Sequence, residues 1–199
     1  MPDPFGTSSI PFQAEVLQQS RRSQQMENTV VFLGDSITVG LATSNISPKS
    51  ENFGIDGDTI DGLLFRIPRY HLDCARTIVV EIGINDWRHD GFQNFEDKYR
   101  QLLRGLPQSV PVIATAIFPV NGDAKEHPEW AHAPAAIRKA NGEIAGVCNQ
   151  FTNCRFLDLT PLLADPSGTL QSIYDVGDGV HLSSAAYRVW TRNLAPLIP

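Results

Sequence analysis

The 199-residue chain has 16 basic and 22 acidic side chains, a net charge of −6, and is 42% apolar and 19% charged. That is an ordinary globular composition, long enough for one domain with a sizeable core. The acidic balance and the lack of any basic run argue against nucleic acid as a partner, and no apolar stretch reaches the roughly 18 residues that would suggest integral membrane association.

The opening "MPDPFGTSSIPFQAEV" lacks the basic start and apolar core of a signal peptide, which predicts a cytoplasmic protein. From about Phe12 to Met26 a mostly polar, weakly amphipathic stretch reads as a helix within an N-terminal extension, 1–28, ahead of a domain over 29–199. Short apolar runs rich in β-branched residues then recur: "TVVFL" (29–33), a weaker "ENFGI" (51–55), "TIVVEI" (77–82), "VPVIATAIF" (110–118) and "CRFLDL" (154–159). Continuous apolar runs of this length suit strands buried on both faces of a parallel sheet.

Helical stripes lie between and after the runs. Phe95, Tyr99, Leu102, Leu103 and Leu106 share one face, and Ile137, Ala140, Ile144, Val147, Cys148 and Phe151 another. Ala186, Val189, Trp190 and Leu194 form a third behind a cap at Ser183 or Ser184. The alternation predicts an α/β three-layer sandwich: a flavodoxin-like, mainly parallel five-stranded sheet with helices on both faces. The irregular segment "PVNGDAKEHPEWAHAP" (119–134) is too long for a mere connector. Cys74, Cys148 and Cys154 form no CxxC pair; Cys148 and Cys154 are spaced so that they can pair, but the compartment argument favours buried free thiols.

Ligands of an open parallel sheet bind at the carboxyl ends of its strands. Gly34-Asp35-Ser36 follows the first run, "GIDGDT" with Gly54 and Gly57 the second, "GINDW" the third, and "DGVHLSSAAY" with Asp178 and His181 follows the last after a connecting stretch. Each has a plain structural alternative: a capped turn at Asp35-Ser36, a glycine with positive φ at Gly57, an N-cap at Asn85-Asp86, a surface ion pair at Asp178 and His181. Their convergence on one rim, in this order, is what those alternatives do not supply.

With "GDSIT", "NFGIDGDT", "GIND" and "DGVHL" the sequence resembles the SGNH hydrolases, the GDSL esterases and lipases, over residues 30–190. The resemblance implies Ser36 as nucleophile, Asp178 and His181 as its partners, and Gly57 and Asn85 in the oxyanion hole, with no metal and no cofactor. Gly57 is preferred to Gly54 because the family's functional glycine directly precedes Asp-Thr. Trp87, where a smaller aliphatic residue is common, is a departure bearing on the substrate.

The residue chemistry agrees. A serine hydroxyl needs a base, histidine suits that role near neutral pH, and the histidine needs an orienting acceptor. Asp178 can provide it from the same turn, with Asp175 as nearest competitor. The N–H groups of Ser36 and Gly57 and the Asn85 amide are the candidate oxyanion donors; Asp35 is expected to brace the turn. No serine sits in a G-x-S-x-G frame. The histidines (His71, His89, His127, His132 and His181) lack metal-site spacing, and "NDWRHD" (85–90) is the nearest to a metal-like cluster.

The expectation is a serine esterase acting on small, short-acyl esters, with Trp87 and Trp130 lining the substrate pocket and a homo-oligomer left open. The alternatives are a lysophospholipase/thioesterase-type lipase and, from a different class, a non-catalytic flavodoxin-like binding module.

Overall fold

All five apolar runs are strands of one parallel sheet in a computed structural model that describes residues 7–122 and 128–199. In chain order the elements are α1 (Ile10–Ser23), β1 (Thr29–Gly34), α2 (Ser36–Val39), β2 (Ser50–Gly54), α3 (Ile60–Arg66), β3 (Ala75–Glu81), α4 (Ile84–Asp90), α5 (Phe95–Gly105), β4 (Val112–Thr115), α6 (Ala133–Cys148), β5 (Cys154–Leu157), α7 (Thr160–Leu163) and α8 (Ser184–Leu194). The strand order is β2-β1-β3-β4-β5 and every pairing is parallel. This is the flavodoxin-like order, and its direction reverses between β1 and β3.

Right-handed crossovers then put the connections on opposite faces. α5 packs between α3 and α6 on one face. α8 joins α2 on the other, where the Tyr187 hydroxyl donates to the Ile37 carbonyl at 2.8 Å. Val30–Leu33 and Ile78–Val80 are almost wholly excluded from solvent, as strands covered on both sides must be.

The fourth run is shorter as a strand than its 110–118 apolar stretch suggests. The Asn141 side chain, reaching in from α6, accepts from the Ile117 N–H at 2.8 Å and donates to its carbonyl at 2.9 Å. An amide that satisfies both backbone groups of a residue replaces a strand neighbour, so the ladder ends at Thr115 while Ala116–Phe118 stay buried.

α1 is polar in composition, yet Phe12, Val16, Gln19 and Ser23 are buried along one face. Phe12, Val16 and Met26 join the same apolar core as the sheet.

The cysteine expectation is corrected. Cys148 and Cys154 form a disulfide with Cα atoms 5.3 Å apart; Cys74 is free. Cys148 ends α6, Cys154 opens β5, and a tight turn between them carries the bonds Phe151 N–H to Cys148 O and Cys154 N–H to Phe151 O. That turn returns the chain on itself, so two thiols six residues apart come within bonding reach. The expectation of free thiols at Cys148 and Cys154, drawn from the compartment, does not hold. Among the described residues no helix is long and apolar enough to cross a membrane.

Candidate active site

β1 must stop abruptly to present Ser36, and Gly34 permits it. A Cβ there would stand 2.1 Å from both the Glu81 carbonyl oxygen and the Thr38 Oγ1, so only glycine lets α2 fold back this closely. Asp35 caps α2, its Oδ1 accepting from the Ile37 N–H at 2.9 Å. Burial pushes the Asp35 carboxyl up to about 7 against the opposing pull of that N–H. Glu81, buried at the end of β3, is pushed well above the carboxylate range by desolvation and then by the nearby Asp35.

Ser36 is the first residue of α2 and half-buried. Its Oγ lies 3.0 Å from His181 Nε2, and His181 Nδ1 lies 2.6 Å from Asp178 Oδ2. Asp178 Oδ1 accepts from the backbone N–H groups of His181 at 2.8 Å and Val180 at 3.0 Å. Desolvation raises the Asp178 pKa, but the His181 N–H, the His181 ring and the Val180 N–H together outweigh it and hold the carboxyl below its ordinary range.

The loop is pinned on both sides of the histidine. Asp175 and Leu182 form an isolated antiparallel bridge, and Ser183 caps α8. Asp175, the competitor for the orienting role, is committed elsewhere. Its Oδ1 accepts from the Gly177 and Gly179 N–H groups and its Oδ2 from Asn121 Nδ2.

Two further elements bring hydrogen-bond donors to the same rim. Gly57, beyond β2, has φ +74°, and a Cβ there would meet nothing within 4 Å. The glycine is therefore required by its backbone conformation rather than by space. Neither the Gly57 nor the Ser36 N–H has an acceptor among the described residues. Asn85, in the first turn of α4, donates from Nδ2 to the Asp58 carbonyl at 3.0 Å and lies 3.5 Å from Asp35 Oδ2.

A buried arginine ties these pieces together. Arg66 is fully buried, and its Nε donates to Asp58 Oδ2 at 2.8 Å. Its terminal nitrogens donate to the carbonyls of Phe53 at 2.7 Å and Gly34 at 3.0 Å, and to Gln19 Oε1 at 3.1 Å from α1. One guanidinium thus holds the ends of β1 and β2 and the turn bearing Gly57, and links them to α1. Its planar fork of five donors suits this and lysine would not replace it. Burial pushes Asp58 upward, with the Arg66 charge opposing.

Ser36, Gly57, Asn85, His181, Ile84, Val180, Asp56, Arg88 and Trp130 line one cavity of about 330 Å³. Trp130, in the short helical turn Pro128–His132, is almost wholly buried and brings that turn to the serine's rim. Trp87 is not among the lining residues; it is half-buried with its ring 5.7 Å from Phe92. Helical geometry explains this: from Asn85, position 88 is one turn on and shares its face, whereas position 87 points away. His132 is exposed, and His127 lies outside the described residues.

The "NDWRHD" run is divided among separate tasks. Both Asp86 oxygens face the Ile60 N–H, and burial pushes that carboxyl to about 8; Asp90 pairs with Lys98 at 3.0 Å. Among the described residues no three acidic, histidine or cysteine side chains gather as a metal site.

Reading the sequence missed Arg66 and Arg88. A lone basic residue on the apolar face of Ile60, Leu63 and Ile67 was the available signal for the first. The i, i+3 relation to Asn85 was the signal for the second.

A serine hydroxyl bonded to a histidine at the switch point of a parallel sheet is the arrangement of an acyl-transferring hydrolase. The chain belongs to the GDSL-like lipase/acylhydrolase family, whose profile matches residues 32–189. It is 28% identical over 186 residues to the platelet-activating factor acetylhydrolase IB subunit alpha1 of Rattus norvegicus, covering 88% of this chain and 77% of that protein.

Its fold is similar to that of a GDSL-like lipase from Bacteroides thetaiotaomicron, with TM-score 0.75 and 20% identity over 93% of this chain and 97% of the other. It is also similar to the catalytic domain of Streptococcus pneumoniae peptidoglycan O-acetyltransferase A, with TM-score 0.64 and 16% identity over 86% of this chain and 92% of the other.

Proposed function

We propose that this acylhydrolase is a serine esterase that cleaves short-acyl carboxylic esters through an acyl-enzyme. The observation that carries the reading is the hydrogen-bonded series Ser36 Oγ, His181 and Asp178 opening on the cavity that Gly57 and Asn85 also line.

Ser36 Oγ attacks the ester carbonyl carbon while its proton passes to His181 Nε2. His181 then protonates the leaving alcohol as the carbonyl–oxygen bond to it breaks. Water repeats the sequence on the acyl-enzyme, its proton going to His181 and then back to Ser36 Oγ as the acid departs. Asp178 keeps the Nδ1 proton of His181 in place and stabilises the imidazolium formed at each step. The oxyanion of each tetrahedral intermediate is met by the N–H groups of Ser36 and Gly57 and by the Asn85 amide.

Asn85 is braced for that task by the Asp58 carbonyl, which accepts from its amide at 3.0 Å; its longer bond to Asp35 Oδ2, at 3.5 Å, is the one an oxyanion would replace. Asn85→Ala is expected to lower kcat by roughly 10²- to 10³-fold with a much smaller change in KM. Steady-state kinetics on 4-nitrophenyl acetate measures the split; a loss confined to KM would make Asn85 a binding group instead.

Three features support a short acyl chain. The cavity, at about 330 Å³, is near the small end of ligand pockets, and it carries Asp56 and Arg88 rather than a continuous apolar wall. Trp130 occupies one side of it. A relative over most of the chain is named an acetylhydrolase. Each buried CH₂ would contribute only about 0.8 kcal/mol even in a fully apolar groove, so little gain is available here to long chains. kcat/KM is therefore expected to fall steadily from C4 to C12 4-nitrophenyl esters. A maximum at C10 or beyond, or activation at a lipid interface, would favour the lysophospholipase-type reading.

A further inference from the structure

Arg88 stands on the cavity wall with nothing assigned to it. It shares the cavity lining with Ser36, Asn85 and His181, lies one helical turn from Asn85, and is exposed. Its guanidinium carbon sits 5.7 Å from the centre of the Trp130 ring, a cation–π arrangement that fixes the side chain over the pocket. No ion pair or hydrogen bond occupies its donors among the described residues, although arginines elsewhere in the chain, such as Arg22, Arg66 and Arg100, are paired with carboxylates. A guanidinium is suited to bidentate binding of a carboxylate or phosphate, and one held in place by an aromatic ring loses less freedom on doing so.

We propose that Arg88 selects esters bearing an anionic group, a carboxylate or phosphate, within a few bonds of the scissile carbonyl. This deepens the esterase reading and rests on it. Asn85 and Arg88 lie on one face of α4, so a substrate whose oxyanion meets Asn85 places neighbouring atoms beneath the guanidinium. Asp56 lines the same cavity. Its carboxylate repels such a substrate, so the two side chains act with opposite sign on the same selectivity, and Arg88 supplies the attraction.

The anion can belong to the acyl part or to the alcohol, and two substrate pairs separate these sources. For the acyl side, 4-nitrophenyl hydrogen succinate is compared with 4-nitrophenyl butyrate. For the alcohol side, 4-acetoxybenzoate is compared with 4-acetoxybenzamide. Wild type is expected to favour the anionic member of at least one pair in kcat/KM, and the preference should shrink as salt rises from low to physiological concentration.

Arg88→Met should reduce that anionic-to-neutral ratio roughly tenfold, the scale of one charged hydrogen-bonding group. Arg88→Lys should restore part of it, Arg88→Glu should invert it, and Asp56→Asn should raise it. Arg104→Met, the same charge change on the solvent side of α5, should leave the ratio unaltered.

A ratio near one in wild type for both pairs, or one that Arg88→Met does not change, overturns the assignment while turnover of the neutral esters keeps the esterase reading standing. Lack of turnover of every ester, neutral and anionic, overturns the esterase reading and this assignment with it.

Discussion

Ser36→Ala is expected to lower kcat by about 10⁶-fold, the scale set by removing the nucleophile from a serine–histidine pair. The reason is local. The hydroxyl lies 3.0 Å from His181 Nε2, and no other described hydroxyl is hydrogen-bonded to that ring. Residual catalysis would come from the donors at Gly57 and Asn85 and from binding alone.

The fold should not suffer. Ser36 is half-buried, its Oγ has no other partner among the described residues, and the turn is held by Gly34 and the Asp35 cap, which the substitution leaves in place. The melting temperature should therefore match wild type. A fluorophosphonate should label wild-type Ser36, seen by peptide mass, and fail to label the variant. Activity within about a hundredfold of wild type would remove Ser36 from the nucleophile's position.

Asp178→Asn is expected to cost about 10⁴-fold in kcat, and the structure says why an isosteric change is so damaging. Asp178 Oδ1 accepts two backbone N–H bonds, from His181 and Val180. An asparagine must keep its carbonyl oxygen toward those donors, which turns its NH₂ toward His181 Nδ1. Nδ1 then has to accept, the ring proton moves to Nε2, and the nitrogen facing Ser36 can no longer take a proton.

Asp175→Asn is the control. Its Oδ1 meets the Gly177 and Gly179 N–H groups and its Oδ2 meets Asn121, so the change disturbs the loop but not the tautomer. The two variants should be compared in kcat on 4-nitrophenyl acetate. A larger loss from Asp175→Asn would transfer the orienting role to Asp175.

What could be read from the sequence is what depends on neighbours along the chain. Periodicity distinguishes doubly covered strands from amphipathic helices. The Gly-Asp-Ser turn, the Asp-x-x-His pair and the residues following each strand are local patterns, and a parallel sheet gathers strand ends by rule. Hence the sheet, the rim and the residues Ser36, Gly57, Asn85, Asp178 and His181 were all nameable before any distance was known.

Other features depend on groups distant in sequence meeting in space. The end of β4 is decided by Asn141, 24 residues beyond Ile117, and no local propensity records that. The disulfide needs the return of the chain between α6 and β5, which brings the two cysteines within reach and which their spacing alone does not show. Of the two expected pocket residues Trp130 lines the cavity, whereas helix rotation turns Arg88 to it in place of Trp87. Arg66 joins residues from α1, β1, β2 and the Gly57 turn through bonds spanning 8 to 47 positions. The sequence determined which candidate side chains follow the strands onto one rim, because strand and turn patterns are short-range. Tertiary structure alone decided what braces them and what charge lines the cavity, because a buried hydrogen bond or a helix face is defined only once distant segments have packed.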